Sequence, residues 1–293
     1  MLSFDHLCFS WAPDNPCLHD ITLQIASGEQ VAIVGDNGAG KSTLLRLAAG
    51  LLVPTSGTVS WQQQALCKQR ALARASQIGF LFQESERQLF HSWVEDEIAF
   101  GLRLQKLPRE EIRLRVATAL EECELTKWAA SHPLDLDAGQ RRMVAVACLH
   151  AMQPALLLLD EPSRDFDPRW LAILERWLAS ERAKGTTIVA ISHDAEFVRR
   201  NFTTLIELKA GRLVGHGHTC ERLSALNGYH QDEKSSALLL AALARDEHPR
   251  SPPHIGKVRL FSSIGNPNCH FEKVVFKVAA LSSPIPIIKK LFF

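Results

Sequence analysis

The run Gly35-Asp36-Asn37-Gly38-Ala39-Gly40-Lys41-Ser42 limits what this chain can be more than any other stretch. It follows Gln30-Val31-Ala32-Ile33-Val34, an apolar β-branched run that reads as a buried strand, and it precedes a helical pattern from Ser42 to Ala49. The glycines therefore fall at a strand-to-helix turn. Glycine permits the tight turn and lets successive backbone N–H groups point at one anion, and the positive end of the helix dipole adds to the attraction. Gly35, Asn37, Gly38, Ala39, Gly40 and Thr43 are expected to line a phosphate cradle, with Lys41 on the outer phosphates and the Ser42 hydroxyl on Mg²⁺. With glycine near 7% of residues, the pattern G-x4-G-K-[S/T] arises by chance in roughly one chain in a hundred of this length. The flanking strand and helix make a chance match rarer still.

The rest of the composition narrows the setting. A chain of 293 residues has room for a large α/β domain with an inserted subdomain and a tail. Its formal net charge of +1 gives no electrostatic case for a nucleic-acid partner. Seven cysteines occur without any C-x-x-C pair, which argues against a zinc ribbon or a disulfide framework and for reduced, cytosolic thiols. No charged-then-apolar leader pattern opens the chain, and apolar runs such as Ala155 to Leu159 fall far short of the roughly 20 residues that cross a bilayer. If the protein serves a membrane, it is expected to do so as a peripheral subunit on the cytoplasmic face.

Read in order, Leu2 to Ser10 and Leu18 to Ile25 alternate apolar and polar residues across the turn-rich Pro13-Asp14-Asn15-Pro16, which predicts an antiparallel hairpin with Trp11 at its tip. An aromatic there is able to stack on adenine, and a solvent-shielding tryptophan is the alternative. Thr58 to Trp61 and Ile78 to Gln83 read as strands. Residues 84 to about 150 change character, with helical patterns over Val94 to Leu104, Arg109 to Cys123 and Gln140 to Met152, which predicts a helical insertion. Leu156 to Glu161 returns to a buried strand, helix Pro168 to Ala183 follows, and strand Thr187 to Ile191 ends on Ser192-His193-Asp194. Leu205 to Leu208 and Arg212 to Val214 finish the sheet. His216-Gly217-His218 with Cys220 reads as a glycine-rich turn after the last strand rather than as a metal site. The Arg109 to Arg115 cluster and Arg199-Arg200 read as solvated helix faces. Residues 1 to 230 are expected to form the main domain, and 231 to 293 a short helix at Ser236 to Arg245 with an irregular, Pro- and Ser-punctuated tail.

Asp160 and Glu161 stand at the carboxyl end of their strand, where open α/β sheets place ligands. An aspartate there can hold the hydration shell of Mg²⁺, and the adjacent glutamate can orient or deprotonate an attacking water. Gln83 and His193 end strands read as neighbours, and both are expected to face the same γ-phosphate, Gln83 toward metal and water and His193 toward a phosphate oxygen. Phosphoryl transfer needs chiefly positioning and charge neutralisation, which these groups supply.

Over residues 1 to 225 the chain resembles the ATP-binding subunits of ABC transporters. Gly35 to Ser42 resembles the Walker A loop, Gln83 the Q-loop, Leu156 to Glu161 the Walker B strand with its catalytic glutamate, Ser163 to Asp167 the D-loop, His193 the switch histidine and Trp11 the adenine-stacking aromatic. That resemblance implies an α/β fold with a P-loop NTPase core, an N-terminal antiparallel β subdomain and an inserted α-helical subdomain. It also implies ATP and Mg²⁺ as ligands, a membrane-spanning partner, and a second ATPase subunit, the same or different. Phe82 to Phe90 and Val94 to Gly101 are similar to the ATPases of energy-coupling factor importers, which take up vitamins and transition-metal ions.

One motif departs. Where the family has Leu-Ser-Gly-Gly-Gln, this chain has Leu136-Asp137-Ala138-Gly139-Gln140, the segment by which each ATPase domain contacts the γ-phosphate held by the other. Asp137 is expected to cap the following helix as well as serine does. An ionised aspartate has no proton to donate to phosphate and repels it, and Ala138 adds a methyl where backbone must approach closely. In the D-loop, Arg164-Asp165 replaces the usual small residues. These departures favour pairing with a different ATPase whose intact signature completes the site on this chain's Walker motifs. A soluble ABC ATPase of translation or DNA repair, and a nucleotide-binding regulatory subunit with little hydrolysis, are the alternatives.

Overall fold

The computed structural model describes residues 1–84 and 88–223. The helix expected at Ser236 to Arg245 and the tail to Phe293 lie outside the described residues.

Strands β1 (Leu2–Ala12) and β2 (Asn15–Ile25) form the expected hairpin, antiparallel and paired from Leu2↔Ile25 to Ala12↔Asn15. It is longer than its polarity pattern indicates. The chain reverses over Pro13 and Asp14 alone, so Asn15 and Pro16 belong to β2 and Trp11 to β1. Strand β3 (Gln30–Val34) then feeds the glycine run and helix α1 (Lys41–Ala48). Strand β4 (Ser56–Trp61) returns to pair with β1, and the two-residue β5 (Gln64–Ala65) closes a four-stranded antiparallel sheet of order β2-β1-β4-β5. Helix α2 (Ala71–Ala75) leads to β6 (Ile78–Leu81), which stops two residues short of Gln83.

Helices α3 (Val94–Leu104), α4 (Arg109–Glu122) and α5 (Ala138–Met152) supply all the regular helix expected of the insertion, with short 3₁₀ turns at Thr126–Trp128 and Pro133–Asp135 between α4 and α5. The chain re-enters the second sheet as β7 (Leu156–Asp160), crosses by α6 (Pro168–Ala183) to β8 (Thr187–Ile191), and by α7 (Ala195–Asn201) to β9 (Thr204–Lys209) and β10 (Arg212–His218). The order is β10-β9-β3-β8-β7-β6, with every pair parallel except β9 with β10. β10 runs on through His216 and His218, which correct the expected turn: both are exposed strand residues on one face. Gly215, just before His216, leaves the room through which the Arg222 guanidinium reaches Glu207 at 2.5 Å.

A parallel sheet needs both faces covered, and here the cover is two separate cores. Leu156 and Leu158 of β7 join the cluster that includes α1 and the antiparallel sheet, whereas Leu157 and Leu159 join the one built from the insertion and α6. β8 alternates the same way, with Val189 and Ile191 on the first side and Ile188 and Ala190 on the second. Leu158→Ala will lower stability by about 2–5 kcal/mol in urea denaturation, because a fully buried side chain leaves a cavity. Val53→Ser, at a position 73% exposed, will stay within about 0.5 kcal/mol in the same assay.

Candidate functional site

The loop between β3 and α1 is built for glycine at two positions. Gly35 has φ +142°, and a Cβ there would lie 2.0 Å from the Leu208 carbonyl oxygen. Gly40 caps α1 at φ +95°, and its Cβ would strike Leu18 Cδ2 at 2.7 Å. The loop is braced from outside, since the Gly211 N–H donates to Ala39 O at 3.1 Å and Cys17 Sγ lies 3.5 Å from Thr43 Oγ1. Lys41 Nζ donates to Gly35 O at 2.7 Å and to Asp36 O at 2.8 Å, so the ammonium closes over the loop from the first turn of α1. Burial pulls the Lys41 pKa down, while Glu161, Asp36 and Asp160 pull it back up. The result is a cation fixed over the loop carbonyls at the start of α1.

β7 sets Asp160 opposite that cation. Ser42 Oγ donates to Asp160 Oδ1 at 3.3 Å across a sequence separation of 118 residues. Burial raises the Asp160 pKa, against the lowering effects of the Ser42 hydrogen bond and Arg46. A buried carboxylate next to a hydroxyl is an all-oxygen donor set of the kind hard divalent cations take. Glu161 turns out of the strand with φ +50°, its N–H donating to Ile191 O at 3.0 Å, and its Oε1 lies 3.5 Å from His193 Nε2.

The strand order corrects one expectation. β6 and β8 are not neighbours, because β7 lies between them. Gln83, just past β6, and His193, just past β8, therefore flank the Asp160-Glu161 edge from its two sides. Gln83 is exposed, and its backbone carbonyl accepts from Arg142 Nη1 at 2.8 Å. Trp11 is 51% exposed near the end of β1 and meets Phe9 edge to face at 5.0 Å, on the hairpin whose Cys17 and Leu18 touch the loop.

Asp137 caps α5 as expected. Its Oδ1 accepts from Gln140 N at 2.8 Å while Gln140 Oε1 accepts from Asp137 N at 3.1 Å, a closed reciprocal cap. Asp137 and Ala138 face solvent, and Gly139 is buried where a Cβ would press on Trp170 Cδ1 at 3.1 Å and Asp165 O at 3.4 Å. The structure thus gathers Lys41, Ser42, Asp160, Glu161 and His193, and presents Asp137-Ala138 outward. The sequence reading missed Arg142, whose guanidinium lies among the carbonyls behind Asp160 and Glu161. The available signal was a cation directly before the apolar run Met143 to Ala147, on a helix whose burial demands compensation.

A family model described as "ABC transporter" matches residues 18–164 of this chain. The chain belongs to the ABC transporter ATPases. It is 33% identical over 228 residues to the energy-coupling factor transporter ATP-binding protein EcfA of Enterococcus faecium, covering 77% of this chain and 81% of the relative. The EcfA protein of Methanothermobacter thermautotrophicus is 32% identical over 223 residues, covering 75% and 72%. Among solved structures, cbiO1 from Clostridium perfringens, described as part of the ABC transporter complex cbiONQ, superposes with a TM-score of 0.69 at 31% identity, covering 76% of this chain and 90% of that one. The dimeric ATP-binding cassette MJ0796 in a post-hydrolysis state with ADP and Pi gives a TM-score of 0.69 at 25% identity, covering 75% and 99%. The protein is accordingly an ABC ATPase subunit of a transporter, with the P-loop core and antiparallel subdomain expected of one.

Two outcomes follow for this ABC ATPase. Gly35→Ala will abolish ATP binding in a fluorescent-nucleotide titration, since the loop has no room for the methyl beside Leu208 O. Because the folded chain holds the Asp160 proton more tightly than the unfolded chain does, ionising Asp160 costs stability. That cost appears as pH rises from the ordinary value of 3.8 through the higher folded value. Asp160→Asn will therefore raise the melting midpoint of the nucleotide-free protein at pH 7, by about 2–4 °C for a change on the order of 1 kcal/mol. A lower midpoint would contradict the assigned cost of burying the Asp160 charge.

Proposed function

We propose that this ABC ATPase hydrolyses Mg²⁺-ATP to drive an energy-coupling factor type importer of a vitamin or metal ion, from the cytoplasmic face of the membrane, and that it pairs with a different ATPase subunit. The observation that carries the reading is the meeting of Lys41, Ser42 and Asp160, with Glu161 and His193 alongside, in a chain whose exposed signature is Asp137-Ala138.

In this reading the N–H groups of Gly35 to Thr43, Asn37 included, and the Lys41 ammonium hold the phosphates, and Trp11 stacks on the adenine. Ser42, Asp160 and Gln83 would hold Mg²⁺, whose bound charge offsets that of the phosphates. Glu161 accepts a proton as a water oxygen bonds to the γ-phosphorus and the bond to the β-phosphate oxygen breaks, releasing ADP and phosphate. His193 steadies the Glu161 carboxylate and a γ-phosphate oxygen. Gly139 and Gln140 keep the signature's shape, while Asp137 opposes the anion that a second copy would present.

In this reading the membrane-spanning partner docks on the groove next to Gln83 and the insertion. Leading into the insertion, Phe90 is 60% exposed and Trp93 49% exposed, and Trp93 lines, with Trp128, His132 and Gln140, an open cleft of about 440 Å³. Among the described residues no helix is long and apolar enough to cross a membrane, which is compatible with a peripheral subunit. Asp137-Ala138 also favours a second reading, a nucleotide-binding regulatory subunit that scarcely hydrolyses ATP.

Steady-state ATPase rates of the purified chain separate these. Wild type alone will turn over poorly, and Asp137→Ser with Ala138→Gly will gain at least about ten-fold, the gain vanishing when Glu161→Gln is added. Brisk wild-type turnover unchanged by the double substitution would contradict the paired-subunit reading. A double variant as inactive as wild type would favour the regulatory one.

A further inference from the structure

Arg142 is the group that the described chemistry leaves unexplained. It is 1% exposed, in the second turn of α5, and its guanidinium donates to four backbone carbonyls of two separate segments. Nε reaches Pro162 O at 3.2 Å, Nη2 reaches Asp160 O at 3.2 Å and also Glu161 O, and Nη1 reaches Gln83 O at 2.8 Å. The planar fork of arginine makes this possible, since its donors diverge in one rigid plane and a lysine ammonium cannot span the same set. Burying a cation is costly, so a side chain held this way is fixed tightly by its acceptors. Burial accordingly lowers its pKa, and the charges of Asp165, Glu161 and Asp160 offset part of that.

The four carbonyls are chemically specific. Glu161 O and Asp160 O belong to the residues read above as water-activating and metal-holding, and Glu161 is left-handed at φ +50°, a backbone state that needs outside support in a non-glycine residue. Gln83 O belongs to the segment on the far side of the same edge. Arg142 also shares its helix with the signature: Asp137 caps α5 one turn earlier, and Gly139 seats that first turn against Asp165 O and Trp170. A shift of α5 along its axis, such as engagement of Asp137-Ala138 by another subunit would impose, acts on Gln83 and Glu161 through this one side chain.

We propose that Arg142 is a positioning residue that sets the backbone of Glu161 and Gln83 for hydrolysis and ties that geometry to the signature end of α5. The proposal rests on the assignment of Glu161 as the proton acceptor. Its consequence is a split between binding and turnover. Nucleotide affinity measured without Mg²⁺ depends on Lys41 and the glycine loop, to which Arg142 makes no hydrogen bond, while the hydrolytic rate depends on the carbonyl frame.

The test uses the full chain carrying Asp137→Ser with Ala138→Gly, the form expected to turn over alone and here the reference that is wild type at Arg142 and Glu161, in a single-turnover ATP assay, with Mg²⁺-free fluorescent-nucleotide affinity and melting midpoint measured alongside. Arg142→Lys and Arg142→Gln will keep nucleotide affinity within about two-fold of that reference and lose roughly 10- to 100-fold in rate, as small misplacements of reacting groups do. In the Glu161→Gln background, Arg142→Lys will cost much less than it does alone, because the share that acts through Glu161 is silent once that carboxylate is removed. Three results overturn the proposal: the reference rate in Arg142→Lys, a parallel fall of affinity and rate in both variants, or full additivity with Glu161→Gln. If Glu161→Gln itself hydrolyses as the reference does, the assignment of Glu161 fails instead, and that failure is visible before any Arg142 variant is compared.

Discussion

The site depends on bringing the carboxyl ends of β3 and β7 to one point, and the 3.3 Å contact between Ser42 Oγ and Asp160 Oδ1 is where that requirement is met. The two strands are not adjacent, since β8 pairs with both, so the contact reaches across a strand from the first turn of α1. Parallel strands share a direction, which puts every loop that carries a polar group at the same edge. The apolar side chains that enforce the alignment are the alternating residues of β7 and β8, split between two cores. Loss of sheet order would separate the Walker residues even with each loop intact. Desolvation of Asp160 and Lys41 is the electrostatic cost of that closeness, and each leaves a charge that a nucleotide phosphate or a divalent cation can satisfy.

The second half of the machinery is attached by different physics. Asp137 preserves the helix start, because a carboxylate caps as well as a hydroxyl, so α5 and everything it carries keep their places. Gly139 remains glycine-tight against the D-loop carbonyl. What the substitutions change is the outward surface, where a donor hydroxyl gives way to an anion and a glycine to alanine. Fold and phosphate recognition thus come apart within a five-residue motif. The inward side obeys capping and packing, and the outward side obeys the chemistry of whatever it meets.

Most of the site was legible in the sequence because its parts are local. A glycine run between a strand and a helix, two carboxylates after four leucines, and an aspartate at an N-cap each declare their backbone state within a few residues. The adjacency of Gln83 and His193 was misjudged because strand order is a property of pairing between distant segments, which no local pattern records. β5 and α2 escaped notice because two and five residues are too few to show a period. His216 and His218 looked like turn residues because glycines interrupt their alternation, and of those glycines Gly215 admits the Arg222 guanidinium. Arg142 was hidden for a further reason: its partners are backbone carbonyls, which carry no residue identity to search for.

The proposed reading is of a chain that holds nucleotide through Lys41, Ser42 and Asp160 and whose outward Asp137 would oppose a second copy of itself. Sedimentation equilibrium of the Glu161→Gln chain in saturating Mg²⁺-ATP tests this most directly, because blocked hydrolysis should trap any closed dimer. The account predicts a monomer that binds nucleotide. A nucleotide-dependent dimer of this chain with itself, at micromolar concentration and unaffected by Asp137→Ser, would contradict it.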